Sequence, residues 1–238
     1  MKGTGTTGRR FRGVLLDWRG TLVVAPTYRW LVRRGLQALA RPDSDDDVEA
    51  VLARLRSADA TEVGSSAVDA DADLHRRVYA RWFRAAGLDD ELAAALYAVE
   101  CDVAANPFAD DVGPLLSALR GAGVRVGVLS DVHVDLRPAF GAHAIADGTS
   151  WADLVDVWTL SFEVGAAKPD PAIFERALRQ LGLPAAEVLM VGDRGTHDGA
   201  AAACGITTLL LPPLGSPQER RLQRVLDLVL PGAVLPDT

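Results

Sequence analysis

Lysine is nearly missing from this 238-residue chain: Lys2 and Lys168 are the only two among 25 basic residues, and the rest are arginine. Arginine serves wherever any cation will do, so an internal lysine marks a place where a compact ammonium is wanted and not a planar fork. Cysteine is scarce too. Cys101 and Cys204, with no CxxC pair and no His-rich cluster, supply neither a disulfide framework nor the four ligands of a structural zinc site. The formal net charge is -7 and no basic run occurs, so the field of Lys and Arg that neutralises nucleic-acid phosphates or an anionic membrane is absent. No apolar stretch approaches the roughly 18 residues of a membrane helix. The charged start MKGTGTTGRRFRG is followed only by apolar residues 14–16 before Asp17, too short a run for the core of a signal peptide. These absences give the expectation of a soluble, cytoplasmic protein with no nucleic-acid and no membrane partner.

What is present is enough apolar material for a real core: 49% of residues are hydrophobic and 24% charged. Residues 3–8, GTGTTG, lack the GK[ST] ending of a P-loop and read as a frayed terminus. A short apolar run over 11–17 predicts a strand, broken at Gly20 and Thr21. Helical spacing then takes over. Trp30, Leu31, Leu36 and Leu39 predict one helix; Val48, Val51, Leu52 and Leu55 a second, with Ser44 and Asp47 at capping-box spacing. Leu74, Val78 and Trp82 mark a third, ended by Gly87, and Leu92, Leu96, Val99 and Val103 a fourth, ended near Asn106-Pro107. After Pro107 strands and helices alternate: helix 111–120, strand 124–130, strand 154–160, helix 171–181, strand 188–191, a short helix over 198–203 and strand 206–211. Ser216, Pro217 and Glu219 predict the N-terminus of a last helix through Val229. The pattern implies an α/β fold: a doubly wound, mostly parallel sheet formed by residues 1–24 and 109–238, with an all-α insert at 25–108.

Ligands of such sheets sit at the carboxyl ends of the strands. Three predicted strands end there in polar residues: LLDWRGT at Asp17, VLSD at Ser130 and MVGDRGTHD at Asp193. GAAKPDP presents Lys168 on a loop between the last two. Asp17 and Asp193 are hard oxygen ligands suited, with a backbone carbonyl and waters, to Mg²⁺. The Ser130 hydroxyl and the Lys168 ammonium can hold phosphoryl oxygens while a carboxylate attacks in line. Any one of these aspartates alone could as well cap a turn or a helix.

These segments resemble the haloacid dehalogenase (HAD) superfamily, in the branch whose helical cap is inserted after the first motif. LLDWRGTLV resembles its first motif, hhhDxDGTL; VLSD the second; SFEVGAAKPDPAIF the third; VLMVGDRGTHDGAAAACG the fourth. The likeness implies a Rossmann-like core and the following roles. Asp17 is the nucleophile, Lys168 acts beside it, and Ser130 and Lys168 bind phosphate. Thr21, in the phosphate-binding loop, orients the nucleophile. Mg²⁺ is held by Asp17, Asp193 and the backbone carbonyl of Arg19, with Asp198 steadying the metal shell.

The chain departs from that family at two places. Arg19 stands where the phosphatases carry a second aspartate, which protonates the leaving group and is worth about 10² to 10⁴-fold. An arginine, always protonated near neutrality, cannot shuttle that proton. Asp131 stands where an asparagine is commoner. The expected function is Mg²⁺-dependent hydrolysis of a small phosphorylated metabolite through an aspartyl-phosphate on Asp17, slowed by Arg19. The alternatives are a non-catalytic binder of a phosphorylated ligand and a metal-independent haloacid dehalogenase. The phosphonate-cleaving relatives need a cap lysine, and residues 25–108 contain none. His197, one residue before Asp198, is a candidate replacement acid or base, with a plain loop histidine as the blander reading. His75, His133 and His143 have no motif around them and read as surface or partly buried. Trp18 and Trp30 read as packing between core and insert or as the lining of a substrate pocket beneath the insert, Cys204 as a core residue, and Arg29, Arg33 and Arg34 as a solvated basic face or a contact for an anionic substrate.

Overall fold

A computed structural model describes residues 9–236; the GTGTTG segment and Lys2 lie outside the described residues. Five strands form one sheet in the order β3-β2-β1-β4-β5: β1 Gly13–Leu16, β2 Arg125–Ser130, β3 Val157–Leu160, β4 Val188–Gly192 and β5 Thr207–Leu210. All four pairings are parallel. Alternate side chains of β1 supply two cores. Val14 and Leu16 pack with Leu115, Phe140 and Leu222 on one face, whereas Leu15 packs with Ile173, Phe174 and Leu181 on the other.

Between β1 and the rest of the sheet lies the helical segment: α1 Tyr28–Ala38, α2 Asp45–Ser57, α3 Ser66–Asp69, α4 Ala72–Ala85 and α5 Asp90–Cys101. It has its own hydrophobic cluster, centred on Val32, Val48, Phe83 and Leu96. The expected capping box is formed: Ser44 Oγ accepts from Asp47 N at 3.3 Å, and Asp47 Oδ2 from Ser44 N at 3.1 Å. Helices α1 and α5 approach so closely that a Cβ on Gly35 would collide with Leu96 Cδ2. The short α3 has no apolar periodicity and gave no signal in the sequence.

The remaining helices are α6 Val112–Gly121, α7 Arg137–Gly141, α8 Ser161–Val164, α9 Pro171–Leu181 and α10 Gln223–Val229. The expected helix at 198–203 is a 3-10 helix over Asp198–Cys204. The last helix needs correction at its start. It begins at Gln223, not at Ser216, because Pro217 O is taken by Asp110 N at 2.8 Å and Leu222 N donates to Asp111 Oδ2 at 2.8 Å. Residues 212–222 instead cross the loop after β1, where Leu214 N reaches Gly20 O at 2.8 Å.

Candidate active site

Leu16 is in register with Val128 and Val191, so Asp17, Ser130 and Asp193 leave the sheet at one edge, β1 being the strand between β2 and β4. This is the crevice where the connections part to either side of the sheet. A cavity of about 290 Å³ opens there, lined by Asp17, Arg19, Ser130, Lys168 and Asp193 from the core and by Asp69 from α3, among others. A larger hollow of about 700 Å³, walled by Phe108 and Trp151, holds none of the expected site residues.

Lys168 ties the site together. Its Nζ donates to Asp17 Oδ1 and to Asp198 Oδ1, both at 2.6 Å, while its backbone N donates to Asp131 Oδ1 at 2.8 Å. Asp131 therefore fastens the lysine loop. Burial works against the ammonium, yet Asp17, Asp131 and Asp198 together push its pKa up, and it stays charged. Burial raises Asp17 to about 6; Lys168 opposes this, while Asp198 and Asp193 add to it. Thr21, fully buried, donates its hydroxyl to Asp17 Oδ2 at 3.1 Å, so both carboxylate oxygens of Asp17 are held in place. Ser130 is buried at the end of β2 and faces the cavity.

Asp198 is saturated. Its Oδ2 accepts from Asp193 N at 3.1 Å and Arg194 N at 2.9 Å, which pins the loop after β4. Asp193 differs: its Oδ1 is buried without a hydrogen-bond partner, and burial and Asp198 raise its pKa. One carboxylate oxygen from each of Asp17, Asp193 and Asp198 lies within 4.8 Å of the others. An orphaned carboxylate oxygen among hard oxygen donors fits a divalent cation such as Mg²⁺. Gly20 makes room for this arrangement. Its φ is 81°, and a Cβ there would sit 2.7 Å from Asp193 Cγ.

Arg19 turns away from the reacting end. Its guanidinium donates to Glu100 Oε1 at 2.7 Å, Glu100 O at 3.2 Å and Asn106 Oδ1 at 3.3 Å, which clasps the end of α5. His197 does not line the cavity; it sits 2.9 Å from Arg194 NH2 and 3.0 Å from Thr196 Oγ1, and burial and Arg194 lower its pKa. Trp18 packs against Phe108 and Phe140, at ring-centroid distances of 5.0 and 5.4 Å. Arg29 pairs with Glu49, and Arg33 with Asp45.

Sequence reasoning missed several residues. Glu100, Asn106 and Asp69 come from or border the helical segment, where no motif marks them. Arg221 donates to Thr21 O at 2.8 Å and Gly20 O at 3.3 Å and so holds the loop that carries Asp17. His75 and His133 are not surface residues: they are 1% and 5% exposed.

The family model described as haloacid dehalogenase-like hydrolase matches residues 11–205. Two curated relatives are similar over part of the chain. A phosphoglycolate phosphatase of Rhodospirillum rubrum is 33% identical over 97 residues, 41% of this chain and 38% of that protein. The (S)-2-haloacid dehalogenase 1 of a Pseudomonas species is 30% identical over 115 residues, 48% of each. The chain thus spans less than half the length of either relative. Among solved structures, a 2-haloacid dehalogenase from Pseudomonas syringae pv. Tomato matches with a TM-score of 0.58 at 21% identity, over 87% of this chain and 88% of that one.

Proposed function

Since the chain belongs to the haloacid dehalogenase-like hydrolases, we propose that it hydrolyses a small phosphorylated molecule, with Asp17 as nucleophile and Mg²⁺ as cofactor. The observation that carries this reading is Asp193, whose buried, unpartnered oxygen beside Asp17 calls for a cation. Asp17 and Asp193 would hold Mg²⁺, with the backbone carbonyl of Arg19, and Asp198 would keep the loop in place. When bound, the ion supplies positive charge to the phosphoryl oxygens and offsets the repulsion between them and the carboxylates.

Lys168 and Thr21 fix the orientation of the Asp17 carboxylate, which attacks phosphorus as the bond to the leaving oxygen breaks. Ser130 and Lys168 bind the phosphoryl oxygens. Water then attacks the phosphorus of the aspartyl-phosphate, releasing phosphate and restoring Asp17. Arg19 is committed to Glu100 and cannot give the leaving group a proton. Turnover is accordingly slow on alkyl phosphates and favours acyl or aryl phosphates, whose leaving groups need little protonation.

That same missing acid supports a second reading, since a halide also leaves without a proton. On that reading Asp17 displaces halide from a 2-haloacid, and water hydrolyses the ester. Against it, Asp193 places a carboxylate near the anionic substrate that such a site does not need. The deciding experiment follows phosphate release from acetyl phosphate and p-nitrophenyl phosphate, and chloride release from 2-chloropropionate, each with and without Mg²⁺ and with Asp17→Asn as blank. Metal-dependent phosphate release that the variant abolishes supports the phosphatase. Metal-independent chloride release alone would replace it with the dehalogenase. Silence on all three, with Mg²⁺ bound, leaves a protein that binds a phosphorylated ligand and does not turn it over.

A further inference from the structure

A second cluster of ligand-type side chains borders the same cavity. Asp69 ends α3, His75 lies in the first turn of α4, and His133 follows β2, so two come from the helical segment and one from the sheet. A carboxylate oxygen and one nitrogen from each imidazole lie within 4.8 Å of one another. The two rings stack face to face, with centroids 3.3 Å apart and planes at 10°. Asp69 and His133 also line the cavity.

Both imidazoles are in the form that binds metal. Burial, with Arg19 adding to it, lowers His75 to about 4; burial, His75 and Arg19 lower His133 to about 3. Their neighbours orient them as the outer partners of a metal site do. The Tyr97 hydroxyl is 3.2 Å from His75 Nδ1, and Cys101 Sγ is 3.5 Å from His133 Nε2. Burial and the nearby Asp131 raise the Asp69 carboxyl to about 6. Two neutral imidazoles and a carboxyl thus converge on one point.

We propose that Asp69, His75 and His133 form a site for a borderline divalent cation of the zinc class, separate from the Asp17 centre. Two nitrogens and one oxygen suit zinc, cobalt or nickel and not Mg²⁺, which prefers an all-oxygen shell. Ligand atoms around tetrahedral zinc stand about 3.4 Å apart. Imidazole lone pairs lie in the ring plane, so closing the present spread of up to 4.8 Å on one ion requires the two rings to rotate out of their parallel stack. Three protein ligands leave a position open toward the cavity, unlike a four-ligand structural site. Because the ligands come from both sides, the ion fastens the helical segment to the sheet. They do so where Asp69 O already accepts from Ser161 Oγ at 2.6 Å.

The test is chelator-stripped, full-length protein titrated with Zn²⁺ by calorimetry and with Co²⁺ by visible absorption. The expected result is about one equivalent bound, kept in Asp193→Asn and weakened about 100-fold or more in His75→Gln and His133→Gln. The Co²⁺ band follows the same pattern, and Zn²⁺ raises the melting temperature of wild type but not of the His variants. Absence of Zn²⁺ binding in wild type overturns the proposal. So does binding lost in Asp193→Asn and kept in His75→Gln, which places the ion among the carboxylates. If a His variant fails to fold, Asp69→Asn decides: undiminished affinity overturns the site.

Discussion

The two walls of the cavity are held by opposite kinds of contact. On the sheet side, charge meets charge at short range: one ammonium between Asp17 and Asp198, with its own backbone bound to Asp131. On the helical side His75 packs against Tyr79 and Tyr97 and stacks on His133 from the loop after β2, and Glu100 meets Arg19, whose cation is sent across from the sheet. On the sheet wall Asp193 Oδ1 stays buried without a partner, whereas across the cavity the imidazoles of His75 and His133 are held unprotonated. On the proposed function one wall serves attack on an electrophile, and on the proposed metal site the other joins two parts of the chain.

The largest effect that tests this contrast is Asp17→Asn, expected to lower turnover by about 10⁴-fold or more with the fold intact by circular dichroism. A variant that keeps a tenth of the activity would move the nucleophile elsewhere. Next is Lys168→Met, which leaves Asp17, Asp131 and Asp198 facing one another. Removing one partner of a buried ionic network costs about 3–5 kcal/mol, and urea unfolding reads it. A stability change under 1 kcal/mol would mean that the sheet wall is not held by charge.

The two stacked imidazoles predict a pH effect. His75 and His133 have folded pKa values, about 4 and about 3, below the unfolded 6.5, so the folded state binds fewer protons. In chelator, stability is therefore full above pH 6.5 and declines as the pH falls toward 4, by roughly 3 kcal/mol or more. His75→Gln should flatten this slope. Gly35→Ala, which collides with Leu96, is expected to cost about 1–3 kcal/mol by overpacking, while Gly121→Ala, with nothing near its Cβ, should be neutral or better. Smallest is Arg29→Ala, which breaks exposed pairs to Glu49 and Asp45 and should shift stability by no more than about 0.5 kcal/mol.

The same contrast explains what could be read beforehand. Asp17, Ser130, Lys168 and Asp193 were legible because each ends or follows a strand, and parallel register alone carries strand ends to one edge. The scarcity of lysine singled out Lys168 before any contact was known. The helical wall was not legible, since its chemistry depends on how α3 and α4 pack over the loop after β2. A four-residue helix has no period to detect, and His75 and His133, far apart in the chain, meet only through that packing. The start of α10 was misread for a similar reason. The residues after Ser216 do have the local pattern of a helix start, but the tertiary bonds of Asp110 and Asp111 claim that stretch.

The grip of Arg221 on the carbonyls of Gly20 and Thr21 joins residues 201 and 200 positions apart. On the ribosome, at about 5–20 residues per second, the loop with Asp17 emerges roughly 10–40 seconds before the arginine that steadies it. Through that interval the Asp17 loop lacks the two hydrogen bonds that Arg221 gives it. A chain that stopped before Arg221 would carry the Asp17 loop without that fastening.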